Sequence, residues 1–162
     1  MEIALYRPEI PPNTGNIARL SWCTGSALHI VGRPSFSLDE ASVRRAGIDY
    51  WDQVDVRTHA DWDAFVESLG EKGLARVALF TRFASRLYTR HEYASNDILV
   101  FGRETSGLPE SIVEAVGRRY PERILRLPVF EKCRSLNLAN AVAVAVYEGL
   151  RQLDFPGLRD EV

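Results

Sequence analysis

Three stretches of this chain set glycines and polar side chains where an apolar run gives way to a helical pattern. The first is Pro8-Glu9-Ile10-Pro11-Pro12-Asn13-Thr14-Gly15-Asn16-Ile17-Ala18-Arg19. It follows an apolar run and enters a helix, where free backbone N–H groups can meet an anion. A loop here would turn Asn13 and Arg19, six residues apart, towards one cleft. The plainer structural alternative makes Asn13 or Thr14 a helix cap and Arg19 a surface charge. The second is Leu99-Val100-Phe101-Gly102-Arg103-Glu104-Thr105-Ser106-Gly107-Leu108-Pro109. Gly102 and Gly107 allow backbone conformations and close approaches that a side chain would block. Glu104, between them, is placed to bind a guanidinium; the alternative is simply a tight strand-to-helix connection. The third runs from Ile124 through Pro128 and the charged Glu131-Lys132-Cys133-Arg134 to Ser135-Leu136-Asn137-Leu138-Ala139-Asn140. Ser135 suits an N-cap. Asn137 and Asn140, on one helical face, need partners if that helix is buried.

Other chemistries find less support. The middle stretch is not GxGxxG and no Walker lysine follows it, so neither a dinucleotide nor a P-loop site is expected. His29, His59 and His91 are scattered, and none pairs with a serine or cysteine nucleophile in a hydrolytic pattern. Cys23 and Cys133 stand far apart without metal-ligand spacing, so no metal is expected. Cys133, between Lys132 and Arg134, is read as an incidental free thiol rather than a reactive one.

These stretches need a scaffold of alternating strands and helices. Short apolar runs predict strands at Ile3–Tyr6, Leu28–Val31, Val54–Arg57, Arg76–Phe80, Ile98–Phe101 and Ile124–Leu127. Longer amphipathic runs predict helices at about Thr14–Thr24, Leu38–Ala46, Ala60–Leu69, Pro109–Val116 and Ser135–Leu153. Asp39 and Ser135 are the expected caps, with Pro109 in a first turn. The pattern is α/β, and such sheets bind ligands beyond the carboxyl ends of their strands. The last helix carries Leu136, Leu138, Ala139 and the run Ala141 to Val146 with almost no polar face, so burial on more than one side, and a homodimer, are expected.

The chain has 162 residues, 46% hydrophobic and 26% charged, with a net charge of −2. That length suits one domain, and no linker, repeat or low-complexity stretch divides it. No apolar run is long enough for a membrane span. The opening Met1-Glu2-Ile3-Ala4 lacks a signal-peptide layout, so a reducing cytoplasmic setting is expected. The charge balance argues against binding through a blanket basic surface. It leaves local clusters: Arg44-Arg45, Arg118-Arg119, and Arg7, Arg19, Arg33, Arg103, Arg126, Lys132 and Arg134 in or near loops.

In order and spacing, the three stretches resemble the SpoU class of the SPOUT methyltransferases, specifically its small single-domain tRNA (cytidine/uridine-34) 2'-O-methyltransferases. The likeness runs from Ile3 to about Gly157. It extends to Arg44-Arg45-Ala46-Gly47-Ile48-Asp49-Tyr50 and to Val146-Tyr147-Glu148 leading to Arg151-Gln152-Leu153. It implies a Rossmann-like, mainly parallel sheet with helices on both faces and a C-terminal trefoil knot, although knots are very rare in general. It implies a homodimer, S-adenosylmethionine held by backbone around Phe80, Gly102, Leu127 and Ser135, and a tRNA anticodon stem-loop as substrate. The polar residues matching the family's catalytic region are Asn13, Arg19, Glu104, Ser135 and Asn137. On that analogy Asn13 and Glu104 orient Arg19, while Ser135 and Asn137 hold ribose or cofactor groups. The rival functions are methylation of ribosomal RNA ribose and a non-catalytic RNA-binding module of the same fold.

Overall fold

The structure is a computed structural model that describes residues 1–37 and 51–159. The helix expected at Leu38–Ala46 with its Asp39 cap, and the Arg44-to-Tyr50 phrase, lie outside the described residues. Seven strands form one sheet in the order β3-β2-β1-β6-β4-β7-β5. They are β1 Glu2–Tyr6, β2 Ala27–Val31, β3 Val56–His59, β4 Val77–Phe80, β5 Arg86–Leu87, β6 Ile98–Phe101 and β7 Ile124–Arg126. Every pairing is parallel. Among the described residues the α-helices are α1 Pro11–Thr24, α2 Trp62–Ser68, α3 Glu110–Gly117 and α4 Leu138–Gln152.

A parallel sheet covered on both faces needs strands that are apolar throughout. Apart from the partly exposed Glu2 of β1, the residues of β1, β2, β4 and β6 are all buried. The period of two divides them. Ile3, Leu5, Leu28, Ile30, Phe80, Leu99 and Phe101 pack with Ile17 and Ala18 of α1 and Val142, Ala145 and Val146 of α4. Ala4, Tyr6, Val31, Val77, Leu79, Ile98 and Val100 pack with Phe65 of α2 and Ile112 and Val116 of α3. Helices therefore cover both faces, as the resemblance implies.

Several boundaries moved for local reasons. α1 starts at Pro11, three residues early, because Pro11 and Pro12 occupy the first turn, where no intrahelical N–H is required. β3 shifts two residues towards the C-terminus, since Val54 closes a short 3₁₀ turn at Trp51–Gln53. α2 begins at Trp62 because the Asp61 carboxylate caps it, accepting from the Ala64 N–H at 2.9 Å. Pro109 is the residue before α3 rather than in its first turn. Ser135 caps nothing: α4 begins three residues later, with Asn137 as its N-cap. The two-residue strand β5 was missed, being too short to show alternation.

On α4 the buried face is Ala139, Val142, Ala145, Val146, Gly149 and Leu150, while Val144 and Tyr147 stay 40% and 47% exposed. Trp22 on α1, the helix that packs beside α4, is also exposed. Among the described residues no helix is long and apolar enough to cross a membrane.

The histidines that look scattered in sequence partly converge. Parallel pairing of β2 with β3 sets His29 Nδ1 2.9 Å from His59 Nε2, and His29 Nε2 lies 2.8 Å from Glu2 Oε2. The acceptor-only carboxylate makes His29 Nε2 the donor, and with that ring neutral its Nδ1 accepts from His59 Nε2–H. Burial lowers the pKa of both rings, while the neighbouring Glu2 carboxylate pulls His29 back only in part. A histidine lowered in the folded state contributes stability above its unfolded value, roughly 6.5, and loses it as pH falls. NMR titration should place both imidazoles below that value, with thermal stability declining on acidification from pH 7. A His29 that titrates at or above the ordinary value contradicts this pairing.

Candidate functional site

The sheet order reverses direction at β1 and β6: β2 and β3 lie beyond β1, and β4, β7 and β5 lie beyond β6. Loops leaving such neighbours diverge and open a crevice. Here the loop after β1 and the loop after β6 grip each other across it. Glu104 accepts from the Glu9 backbone N–H at 2.8 Å and from the Ile10 N–H at 3.2 Å. Glu9 answers from the other side, accepting from Arg103 Nε at 3.0 Å, the Thr105 N–H at 3.0 Å and the Thr105 hydroxyl at 2.8 Å. The Thr105 hydroxyl, aided by the Arg103 guanidinium, holds the Glu9 carboxyl below the usual range. Glu9 thus grips the Arg103 guanidinium in an ion pair across this crevice. Both oxygens of Glu104 meet the segment that leads into and opens α1.

The tightness of the second loop comes from its glycines. Arg103 and Gly107 exchange two backbone hydrogen bonds, 3.1 and 2.9 Å, and Gly107 takes φ +72°. A Cβ on Gly102 would lie 2.2 Å from the Gly107 carbonyl carbon and 2.3 Å from the Leu108 nitrogen. No side chain fits there without unfolding the turn that aims Glu104.

A directed chain of amides joins this crevice to the third stretch. Asn13 Nδ2 donates to Glu104 Oε1 at 3.2 Å, and Asn137 Nδ2 donates to Asn13 Oδ1 at 2.9 Å. Asn137 Oδ1 then accepts from the Asn140 N–H at 3.3 Å, capping α4. Both ends fix the polarity. A backbone N–H can only donate and a carboxylate can only accept, so neither amide can flip without breaking a link. Asn137 and Asn140, expected to share one helical face, are instead an N-cap and the residue whose backbone N–H it accepts.

Beside this relay lies a cavity of about 490 Å³, within the usual range for small-molecule sites. Phe80 and Phe101, paired in register at the ends of β4 and β6, stack with centroids 4.6 Å apart and contribute to its lining. Gly102, Leu127, Ser135, Asn13, Glu104 and Asn137 also line it. The structure thus gathers seven of the eight site residues expected from sequence around one cavity. Arg19 is the exception. It rides α1 six residues beyond Asn13, about 9 Å along the axis and roughly 120° around it. It is exposed and is not among the residues lining the cavity. A loop could have turned both inward, but a helix that starts at Pro11 separates them.

Two participants were given no role in the sequence reading. Glu9 has partners 94 and 96 residues away, which no local pattern reveals. Arg126 lines the cavity with a buried Nε that lacks a hydrogen-bond partner among the described residues. Its position at the end of an apolar strand was the available signal.

The polarity of the relay makes a sharp expectation. Asn13→Asp replaces a donor with an acceptor facing Glu104, leaving carboxylates in contact and one link unmade. The loss should be about 1 to 3 kcal/mol of stability near neutral pH, partly recovered by acid as a carboxyl protonates. Urea unfolding at two pH values measures it. Equal stability of Asn13→Asp and parent at pH 7 contradicts the assigned direction.

Comparison with known proteins places this geometry in a lineage. Residues 1–147 match the model of the SpoU rRNA Methylase family. A tRNA (cytidine(34)-2'-O)-methyltransferase of Burkholderia cenocepacia is 46% identical over 156 residues, covering 96% of this chain and 97% of that protein. A solved structure described as giving insight into the 2-OH methylation of C/U34 on tRNA superposes with a TM-score of 0.81 at 37% identity, covering 94% of this chain and 95% of the other. An AdoMet-bound rRNA methyltransferase from Sinorhizobium meliloti superposes with a TM-score of 0.77 at 25% identity, over 94% of this chain but 56% of that one. The chain belongs to the SpoU methylase family.

Proposed function

We propose that residues 1–162 form a single SPOUT methyltransferase domain, knotted at its C-terminus, that methylates the ribose 2'-oxygen of tRNA nucleotide 34 with S-adenosylmethionine. The observation that carries this is the relay Glu104–Asn13–Asn137, which draws three separate stretches to the edge of one cavity. The relatives named for nucleotide 34 match over nearly their full length, which favours tRNA. The ribosomal alternative draws on the family description and on a more distant protein of which this chain spans about half.

The cavity's residues suit the cofactor. Strand-end backbone at Phe80, Gly102 and Leu127, with Ser135, would hold it, and the unpartnered Arg126 Nε offers a donor for an acceptor group. When bound, the cofactor supplies an electrophilic methyl on a sulfonium. The protein must then present a ribose hydroxyl in line with it, a task of positioning rather than covalent chemistry. Ser135 and Asn137, at the entry to α4, orient the ribose, and the relay holds Asn137 in place. A guanidinium with a pKa above about 12 is a poor base, so Arg19 acts by orienting and stabilising the 2'-oxygen.

Because Arg19 lies outside its own chain's cavity, it serves the ribose across a homodimer interface. Exposed Trp22, Val144 and Tyr147 supply an apolar surface for that contact on α1 and α4. A cytoplasmic enzyme acting on tRNA fits this reading.

Methyl transfer to bulk tRNA and to ribosomal RNA, followed by nucleoside mass spectrometry, tests the substrate directly. Methylated ribose confined to ribosomal RNA would overturn it. In single turnover on an anticodon stem-loop, Arg19→Ala should fall about a hundredfold to a thousandfold, with cofactor affinity within a few-fold of the parent. Near-normal turnover removes Arg19 from the mechanism, and a collapse of cofactor binding makes it a cofactor-site residue.

A further inference from the structure

Two phenylalanines stand in solvent beside the cavity. Phe83 is 80% exposed and lines it; Phe130 is 67% exposed and follows Val129, which also lines it. They belong to different loops, one between β4 and β5 and the other between β7 and α4. The sheet already has a full core on each face, so nothing in the packing calls for either ring. Arg82 sets its guanidinium carbon 4.6 Å from the Phe83 ring centroid. Exposed Lys132 and Arg134 follow on the second loop, Arg134 itself lining the cavity, against one acid, Glu131. In a chain of net charge −2, these two loops are net positive.

Exposed rings interleaved with cations match an unpaired nucleic-acid strand, whose bases offer flat faces and whose backbone offers phosphates. An enzyme that presents one ribose to a cavity must pull that nucleotide from its stack, and its neighbour loses a stacking partner. We infer that Phe83 and Phe130 form a stacking platform for an unpaired base next to the methylated nucleotide, with Arg82, Lys132 and Arg134 against the adjoining phosphates. This rests on the RNA reading of the cavity and adds to it the residues that grip the flanking strand. Phe83 and Phe130 are exposed, whereas Phe80 and Phe101, beside which the cofactor would sit, are buried.

Equilibrium binding of an anticodon stem-loop carrying 2-aminopurine beside nucleotide 34 tests it, because stacking quenches that base's fluorescence. Both rings are exposed, so Phe83→Ala and Phe130→Ala leave the core untouched. Each should weaken RNA binding roughly fivefold to hundredfold and relieve the quench, while calorimetry shows unchanged cofactor affinity. Phe83→Trp should bind as the parent does, and Phe83→Leu should not. RNA affinity unmoved in both alanine variants, Phe83→Leu as tight as the parent, or a loss confined to cofactor binding overturns the platform. Methyl transfer by the parent on the same RNA separates the two levels. A parent that binds and methylates while its variants are unaffected sinks only the platform; a parent that binds no RNA sinks the RNA reading as well.

Discussion

Asn13 is buried, and its amide can point only one way. Glu104 takes its N–H and Asn137 supplies the N–H that its oxygen accepts. Those two contacts span 91 and 124 residues of chain, so one side chain fixes the mutual position of the first helix, the loop after β6 and the start of the last helix. Neutral amides and one carboxylate achieve this without a buried unpaired charge, the costliest thing a small core can hold. Directionality adds specificity: a neighbour with the wrong donor or acceptor is rejected rather than merely tolerated.

The sheet makes that side chain's position inevitable. Parallel pairing aligns the carboxyl ends of β1, β4 and β6, and the reversal between β1 and β6 opens a gap beside them. Glu9 and Glu104 close the gap's edge by exchanging partners, while glycines at 102 and 107 let the second loop fold tightly enough to do so. Fold, turn and site are one construction. The apolar strands need helices on both faces, and α1 and α4, which cover one face together, begin at adjacent links of the amide relay.

Most of the scaffold was legible because period-two and helical patterns are local properties. The strands from β1 to β7 were found within two residues, except β5, too short to show a period. The candidate site was legible as a set, since glycines and polar residues at strand ends mark where an α/β sheet binds ligands. Its wiring was not. Glu104 was matched to a guanidinium by charge; that its carboxylate accepts from the backbone N–H groups of Glu9 and Ile10 leaves no local trace. Asn137 passed for a helix-face residue because Ser135 looked the better cap. Arg19 was placed beside Asn13 because the loop was assumed to run past a residue where the helix had already begun.

The central claim is that Glu104, Asn13 and Asn137 act as one unit. A double-mutant cycle on single-turnover methyl transfer, combining Glu104→Ala with Asn137→Ala in folded protein, tests it most directly. If the relay is a unit, breaking it at one end already forfeits the alignment, and the double variant should be about as slow as the slower single one. Rate losses that simply multiply would show two independent residues and contradict the coupling.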